Sequence, residues 1–378
     1  MDTDILVIGA GPAGLAVAAT LKAKGRRPVV IEKATQVGAS WRHHYERLHL
    51  HTVKALSALP GMPFPEHEPR YVPRRGVVDY LAAYAERAGI EPCFGEEAMA
   101  IVRAEKGRWR TTTRSGRVFE SNAVIVGTGA NNHPFTPAIE GGDAFGPAGK
   151  IVHSCDYRDA APFAGRRVLV VGMGNTGAEI ALDLAEHGVT VALSVRSPVN
   201  IVHRDVLGRA TQQTSMLLAR LPRALGDRIA AWLCDITVGD LGRYGLQRST
   251  VSPLRQLREQ GRTPVIDVGT LARIKSGEIA VYPGLRRLVA GAAEFSDGRS
   301  ASFDVVVLAT GYRARIEALF PGIAVPLDDG GLPTEVAGTG ALAGIYFVGF
   351  DLRQPGGLLR TIGQQAVEVA ERIGAPVD

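Results

Sequence analysis

The sequence predicts an α/β protein made of two Rossmann-like dinucleotide-binding domains, one inserted into the other. Two glycine loops carry that expectation: ILVIGAGPAGLAV at residues 5–17, and VLVVGMGNTGAEI at residues 168–180. The third observation is a pair of later apolar strands that end alike, AVIVGTG (123–129) and VVVLATGY (305–312). The 378 residues suffice for two domains with sizeable cores.

In the first copy, residues 4–8 are the short β-branched run expected of a buried parallel strand. Gly9 permits the tight turn, Gly11 lets the backbone approach a pyrophosphate, and Gly14 lets helix and strand pack closely. Residues 15–24 have helical composition and are closed by Gly25, so the pyrophosphate would meet the N–H groups of a helix start. The next strand, 28–31, leads to Glu32, at the distance expected of an acid that accepts hydrogen bonds from a ribose.

The second copy repeats the strand (167–171), the loop with Gly172, Gly174, Asn175, Thr176 and Gly177, and a helix closed by Gly188. It differs at the end of its second strand. Counted from Gly25 and Gly188 alike, the position of Glu32 falls on Val195, followed by Arg196 and Ser197. A guanidinium and a hydroxyl suit a 2′-phosphate, which a carboxylate would repel. The other reading of Arg196 is one more surface arginine. The first loop therefore reads as an FAD site and the second as an NADPH site.

The order of these segments implies nesting. An FAD-binding domain spans 1–158 and resumes at 313–378, with an NADPH-binding domain at 159–312. Residues 108–120 and 279–303 alternate like small antiparallel sheets, GIYFVGFD (344–351) reads as a last strand, and a helix follows over 361–373.

Composition narrows the function. With 46% hydrophobic and 21% charged residues the chain is an ordinary globular protein. No apolar run approaches the roughly 18 residues of a membrane span and the start is not signal-like, so the expected location is cytoplasmic. The three scattered cysteines suggest neither a disulfide framework nor a metal site, and no cysteine pair is placed for a disulfide reductase. The net charge of +5 owes much to residues 200–262. That arginine-rich stretch reads as a solvated face that also attracts an anionic cofactor, and it lacks the aromatic interleaving of a nucleic-acid site.

Two dinucleotides in one chain mean hydride transfer from nicotinamide to flavin. The electrons then go to O2, to a small oxidised substrate or to another protein. A flavin monooxygenase works through a C4a-(hydro)peroxyflavin, so it needs little acid–base machinery of its own. An FAD/NADPH reductase and a redox sensor without oxygenation are the readings from other classes.

The chain resembles the class B flavin-containing monooxygenases, and within them the YUCCA-type branch of indole-3-pyruvate monooxygenases. The class fingerprint FxGxxxHxxxY is met by Gly149, His153 and Tyr157, with Pro147 at the phenylalanine position and Phe145 two residues early. The YUCCA-like segments are YERLHLHTVKALSALPGMPFP (45–65), NTGAEIALDLAEHG (175–188), GDLGRYGL (239–246), GRTPVIDVGTLARIKSGEI (261–279) and ATGY (309–312). The resemblance implies oxidative decarboxylation of an aryl 2-oxo acid, with N- or S-oxygenation of a small amine or sulfide as the alternative. It also implies FAD contacts at Gly9, Gly11, Gly14, Glu32, Trp41, Arg42, Thr128 and Gly129. NADPH contacts fall on Gly172, Gly174, Asn175, Thr176, Gly177, Arg196 and Ser197.

His51 then occupies a position close to the flavin's reactive edge, the other reading being a loop residue packed among leucines. Lys54 pairs either with a substrate carboxylate or with a neighbouring acid. A homo-oligomer is left open.

Overall fold

The computed structural model describes residues 1–145 and 149–374, so Pro147 lies outside the described residues. It divides into two compact units. One comprises Met1–His43, Thr52–His133 and Tyr312–Asp378, the other His44–His51 and Pro134–Gly311. The strands of the two main sheets are numbered here β1–β10.

The first unit is built on β1 (Ile5–Ile8), β2 (Val29–Glu32), β3 (Cys93–Phe94), β4 (Ala123–Val126) and β10 (Ile345–Phe347). They form one parallel sheet in the spatial order β10-β4-β1-β2-β3. Every residue of β1 and β4 is buried, which explains why these strands read as unbroken apolar runs: helices cover both faces of such a sheet. Helix α1 (Pro12–Ala23) starts with proline at its first position, where no N–H is missed. It ends at Gly25, whose positive φ lets Gly25 N–H bond Lys22 O (2.9 Å) and Arg26 N–H bond Leu21 O (3.0 Å). The C-terminal helix, expected over 361–373, runs from Leu358 to Gly374 and packs against α1. Strands Ala98–Arg103, Trp109–Thr113 and Val118–Ser121 form the expected small antiparallel sheet.

The second unit repeats this plan. Its parallel sheet has β5 (Lys150–His153), β6 (Arg167–Val171), β7 (Thr190–Ser194), β8 (Ile279–Tyr282) and β9 (Val305–Leu308) in the order β5-β9-β6-β7-β8. The glycine-loop strand is central in each sheet, with the second strand of the motif on one side and the late strand on the other. Helix α2 (Asn175–Glu186) ends as α1 does, with Gly188 N–H on Ala185 O and Val189 N–H on Leu184 O, both 3.0 Å.

Two expectations need correction. Residues 279–282 are not part of an antiparallel sheet: β8 runs parallel to β7 as an edge strand, Val191 opposite Ile279. Four residues are too few for alternation to distinguish the two arrangements. The small sheet of this unit is Leu285–Val289, Ala292–Phe295 and Ser300–Ser302. The boundary near residue 158 also moves, to between 133 and 134, because β5 is an edge strand of the second sheet, with Lys150 opposite Val305 and His153 opposite Leu308. Among the described residues no helix is long and apolar enough to cross a membrane.

The fingerprint residues lock the end of β5. His153 accepts the Cys155 N–H at Nδ1 (3.1 Å) and directs Nε2 at Gly311 O (3.2 Å), an arrangement that suits the neutral ring. Tyr157 is buried and donates its hydroxyl to Asp183 Oδ2 at 2.6 Å. The Phe145 ring lies so close to Gly149 that a Cβ there would meet it at 2.3 Å, so Phe145 takes the place beside this glycine. Burial holds the His153 imidazole below its ordinary value of 6.5, outweighing the Gly311 carbonyl and Asp156. The unfolded chain therefore takes up this proton at a higher pH than the folded chain. Stability should be undiminished above about pH 7 and fall below about 6.5, by at most about 1.4 kcal/mol per pH unit for one proton. Denaturant titrations at several pH values should show a shallower slope for His153→Gln; an unchanged slope would refute a buried neutral His153.

Candidate cofactor and active site

The two glycine loops have nearly the same backbone. Gly9 and Gly172 both have φ +104°. The N–H of Gly9 bonds Ile31 O (2.8 Å) and that of Gly172 bonds Ser194 O (2.9 Å). The third glycine is the point of closest approach: a Cβ at Gly14 would fall 1.8 Å from Gly9 O, and one at Gly177 2.0 Å from Gly172 O. The middle glycines are different. At Gly11 and Gly174 an added Cβ would meet nothing within 4 Å, and both have extended torsions that any residue adopts (φ −83° and −89°). The fold itself therefore does not require glycine there. Each loop leaves a cradle in front of helical N–H groups that carry no side-chain cap, which is the geometry for a pyrophosphate.

On the first unit, Glu32 is buried at the end of β2, where its carboxylate accepts Ala10 N–H (2.7 Å) and Ala34 N–H (2.9 Å). A carboxylate has about four acceptor positions, so two remain for ribose hydroxyls. Gly38 N–H bonds Ala10 O (2.9 Å), tying the short helix of Trp41 and Arg42 to the loop. Arg42 is fixed from both ends, its Nε donating to Val37 O (3.0 Å) and its carbonyl accepting from Arg74 (2.9 Å). Thr128 follows β4, and among the described residues its buried hydroxyl has no hydrogen-bond partner. Its counterpart Thr310 donates to Phe135 O. Gly129 has positive φ and open space where a Cβ would be. The orphaned Thr128 hydroxyl and the open Gly11 cradle fit a bound flavin nucleotide.

On the second unit, the loop hydrogen bonds align Ile31 with Ser194 and hence Glu32 with Val195. Arg196 and Ser197 are exposed, and among the described residues Arg196 makes no ion pair or hydrogen bond. Gly284 underlies it, since a Cβ there would sit 2.9 Å from Arg196 Cβ. Asn175 holds a neighbouring strand instead of standing free: its Oδ1 accepts Ile266 N–H (2.6 Å) and its Nδ2 donates to Pro264 O (3.3 Å). Thr176 hydrogen-bonds buried Tyr45, whose phenol is pushed well above its ordinary value by burial and then by Glu179.

His51 belongs to the second unit and Lys54 to the first. His51 Nε2 is 2.7 Å from Glu179 Oε1 on α2, but off the line of a hydrogen bond. Neither ring nitrogen nor this oxygen has a hydrogen-bond partner among the described residues. Lys54 donates to three backbone carbonyls, Pro65 (3.3 Å), Glu66 (2.8 Å) and Glu68 (2.5 Å). Its three protons are thus committed, and among the described residues it pairs with no acid; it clamps residues 65–68.

Sequence reasoning did not single out Tyr45 and Glu179. The available signal was an acid in the apolar helical pattern AEIALDLAE, where Glu179 and Asp183 prove to be buried.

The chain matches the family described as flavin-binding monooxygenase-like over residues 2–321. It is 38% identical over 376 residues to indole-3-pyruvate monooxygenase YUCCA1 of Oryza sativa subsp. japonica, covering 97% of this chain and 90% of that one. It is also 38% identical over 359 residues to indole-3-pyruvate monooxygenase YUCCA6 of Arabidopsis thaliana, covering 93% and 86%. Among solved structures, the flavin-containing monooxygenase from Stenotrophomonas maltophilia superposes with a TM-score of 0.75 at 23% identity, over 98% of each chain.

The geometry separates binding from folding at adjacent glycines. Gly11→Val should fold with a melting temperature close to that of the parent stripped of FAD, yet purify without yellow colour, because its side chain fills the cradle. Gly14→Ala should yield little folded protein, since its Cβ has a backbone oxygen in its place. Absorbance at flavin wavelengths alongside circular dichroism decides; a yellow Gly11→Val protein would rule out FAD at this loop.

Proposed function

Because the chain belongs to the flavin-binding monooxygenase-like family, we propose that it holds FAD at the first glycine loop and NADPH at the second, and that it oxidatively decarboxylates an aryl 2-oxo acid of the indole-3-pyruvate kind. The observation that carries the substrate class is the 38% identity to an indole-3-pyruvate monooxygenase over 97% of the chain. The overall reaction consumes one 2-oxo acid, NADPH, proton and O2, and yields the acid one carbon shorter, CO2, NADP⁺ and water.

Bound FAD supplies the acceptance of hydride from nicotinamide and the activation of O2. The chain's own residues bind, orient and shield. Gly11 and Gly174 admit the two pyrophosphates, and Glu32 accepts from the FAD ribose while keeping its hold on Ala10 and Ala34. Thr128 gives its unpaired hydroxyl to the flavin nucleotide. Arg196 and Ser197 donate to the 2′-phosphate, with the apolar Val195 where an acid would repel it. His51, part-buried beside Glu179, is the residue that the family resemblance sets near the flavin's reactive edge, where its ring would limit the access of water.

Arg196→Ala removes one charge-assisted contact worth about 1.5–3 kcal/mol, so the KM for NADPH should rise roughly ten- to a hundredfold. Steady-state kinetics should find the KM for NADH barely changed; equal losses with both coenzymes would refute the phosphate contact.

With indole-3-pyruvate or phenylpyruvate, consumption of NADPH and O2 and formation of the shortened acid should be close to equimolar. In the same assay His51→Ala should divert NADPH oxidation into hydrogen peroxide. Failure to oxidise any aryl 2-oxo acid, with clean oxygenation of amines or sulfides, would replace the substrate class.

A further inference from the structure

The arginine-rich stretch within residues 200–262 is not used by either glycine loop. It contains two helices that pack on one another, α3 (Thr211–Leu218) and α4 (Arg223–Val238). Helix α4 is apolar on two opposite faces. The positions facing inward carry Gly226, Ala230, Cys234 and Val238, all buried. The opposite face carries Leu225, Trp232 and Ile236 at helical spacing, 48%, 58% and 63% exposed. Leu217, at the end of α3, is also exposed. Ile229 and Leu233 pack, partly buried, against Leu218, Ala230 and Leu254, whereas a monomer gains nothing by presenting Leu225, Trp232 and Ile236 to water.

The preceding hairpin has the same character. Its two-residue turn, Leu207–Gly208, joins Asp205–Val206 to Arg209–Ala210 with φ positive at both positions. Such a turn favours Asn-Gly. Here a fully exposed leucine takes the first position, held there by neither conformational preference nor burial.

Charge identifies the occupant. Arg209, Arg220, Arg223 and Arg228 are exposed and, among the described residues, their guanidiniums make no ion pair or hydrogen bond. The carboxylates nearby are already committed, Asp227 to Arg258 (2.8 Å) and Asp235 to Arg248. A second copy docked on the same face would set these guanidiniums against one another. Exposed tryptophan, isoleucine and leucine interleaved with unpaired arginines is the composition of a surface that rests on anionic lipid. We propose that the outer face of α4, with the end of α3 and the Leu207 hairpin, docks peripherally on an anionic lipid surface.

The test is flotation of the holoenzyme with vesicles of phosphatidylcholine plus phosphatidylglycerol against vesicles of phosphatidylcholine alone, with tryptophan emission recorded. Trp109 is fully buried and Trp41 half-buried, so a blue shift should come from Trp232. The expected result is binding to the anionic vesicles only, with a blue shift absent from Trp232→Phe. Arg223→Gln with Arg228→Gln should weaken partitioning by about tenfold or more. Trp232→Ser with Ile236→Ser should weaken it by roughly tenfold. Both double variants should retain FAD and NADPH oxidation, showing that the fold is intact. No binding to anionic vesicles, or binding that neither double variant weakens, overturns the proposal. Sedimentation velocity showing a concentration-dependent dimer that Trp232→Ser with Ile236→Ser abolishes assigns the face to a second copy and overturns it as well.

Discussion

At two places in this chain a loop carbonyl presses directly onto the backbone of a helix, Gly9 O at Gly14 and Gly172 O at Gly177. Much of each unit follows from that contact. It sets the helix against the sheet so that its first N–H groups face outward over the strand ends. It brings the late strand close too, since a Cβ at Gly9 would lie 2.6 Å from Gly127 O and one at Gly172 2.7 Å from Ala309 O. Once these backbones touch, the one glycine that touches nothing marks where a ligand belongs. A crowded pair of glycines and an open one therefore divide the loop into a structural part and a binding part.

The two loops share their torsions and caps, so discrimination between ligands has to come from outside the loop. It comes where the second strand of each motif ends. A buried carboxylate braced by two backbone N–H groups stands at Glu32, whereas the aligned position is Val195 followed by an exposed, unpaired guanidinium. The same scaffold thus presents an acceptor in one unit and donors in the other. Preorganisation favours both: Glu32 is already oriented, and no ion pair among the described residues must break before Arg196 can meet an anion.

What was legible in the sequence is what local rules govern. The strand–loop–helix pairs, Gly25 and Gly188 as helix ends, and the register that sets Val195 against Glu32 all follow from short-range spacing. The unread parts depend on distant partners. That residues 150–153 join the second sheet is decided by pairing with 305–308, more than 150 residues away. Lys54 could not be read as a clamp, because its acceptors are backbone carbonyls, which every residue has and no motif marks. The family pattern puts Asn175 at the coenzyme, and no motif marks the brace that its side chain also forms to residues 264–266. Tyr45 and Glu179 went unnoticed because an acid within an apolar helical pattern reads as solvent-facing until the segment that covers it is known.

The positions of the two edge strands have a consequence for synthesis. In the second unit the strand beside the late strand, β5, precedes the glycine loop, so that sheet is complete as soon as Leu308 emerges. In the first unit the equivalent strand, β10, comes near the end of the chain, roughly 220 residues after β4 is made. At about 5–20 residues per second the ribosome needs on the order of 10–40 seconds to cover that interval. Throughout it β4 is an open, wholly apolar sheet edge, the kind that recruits strands from other chains. The nested order thus makes the unit begun first the one finished last.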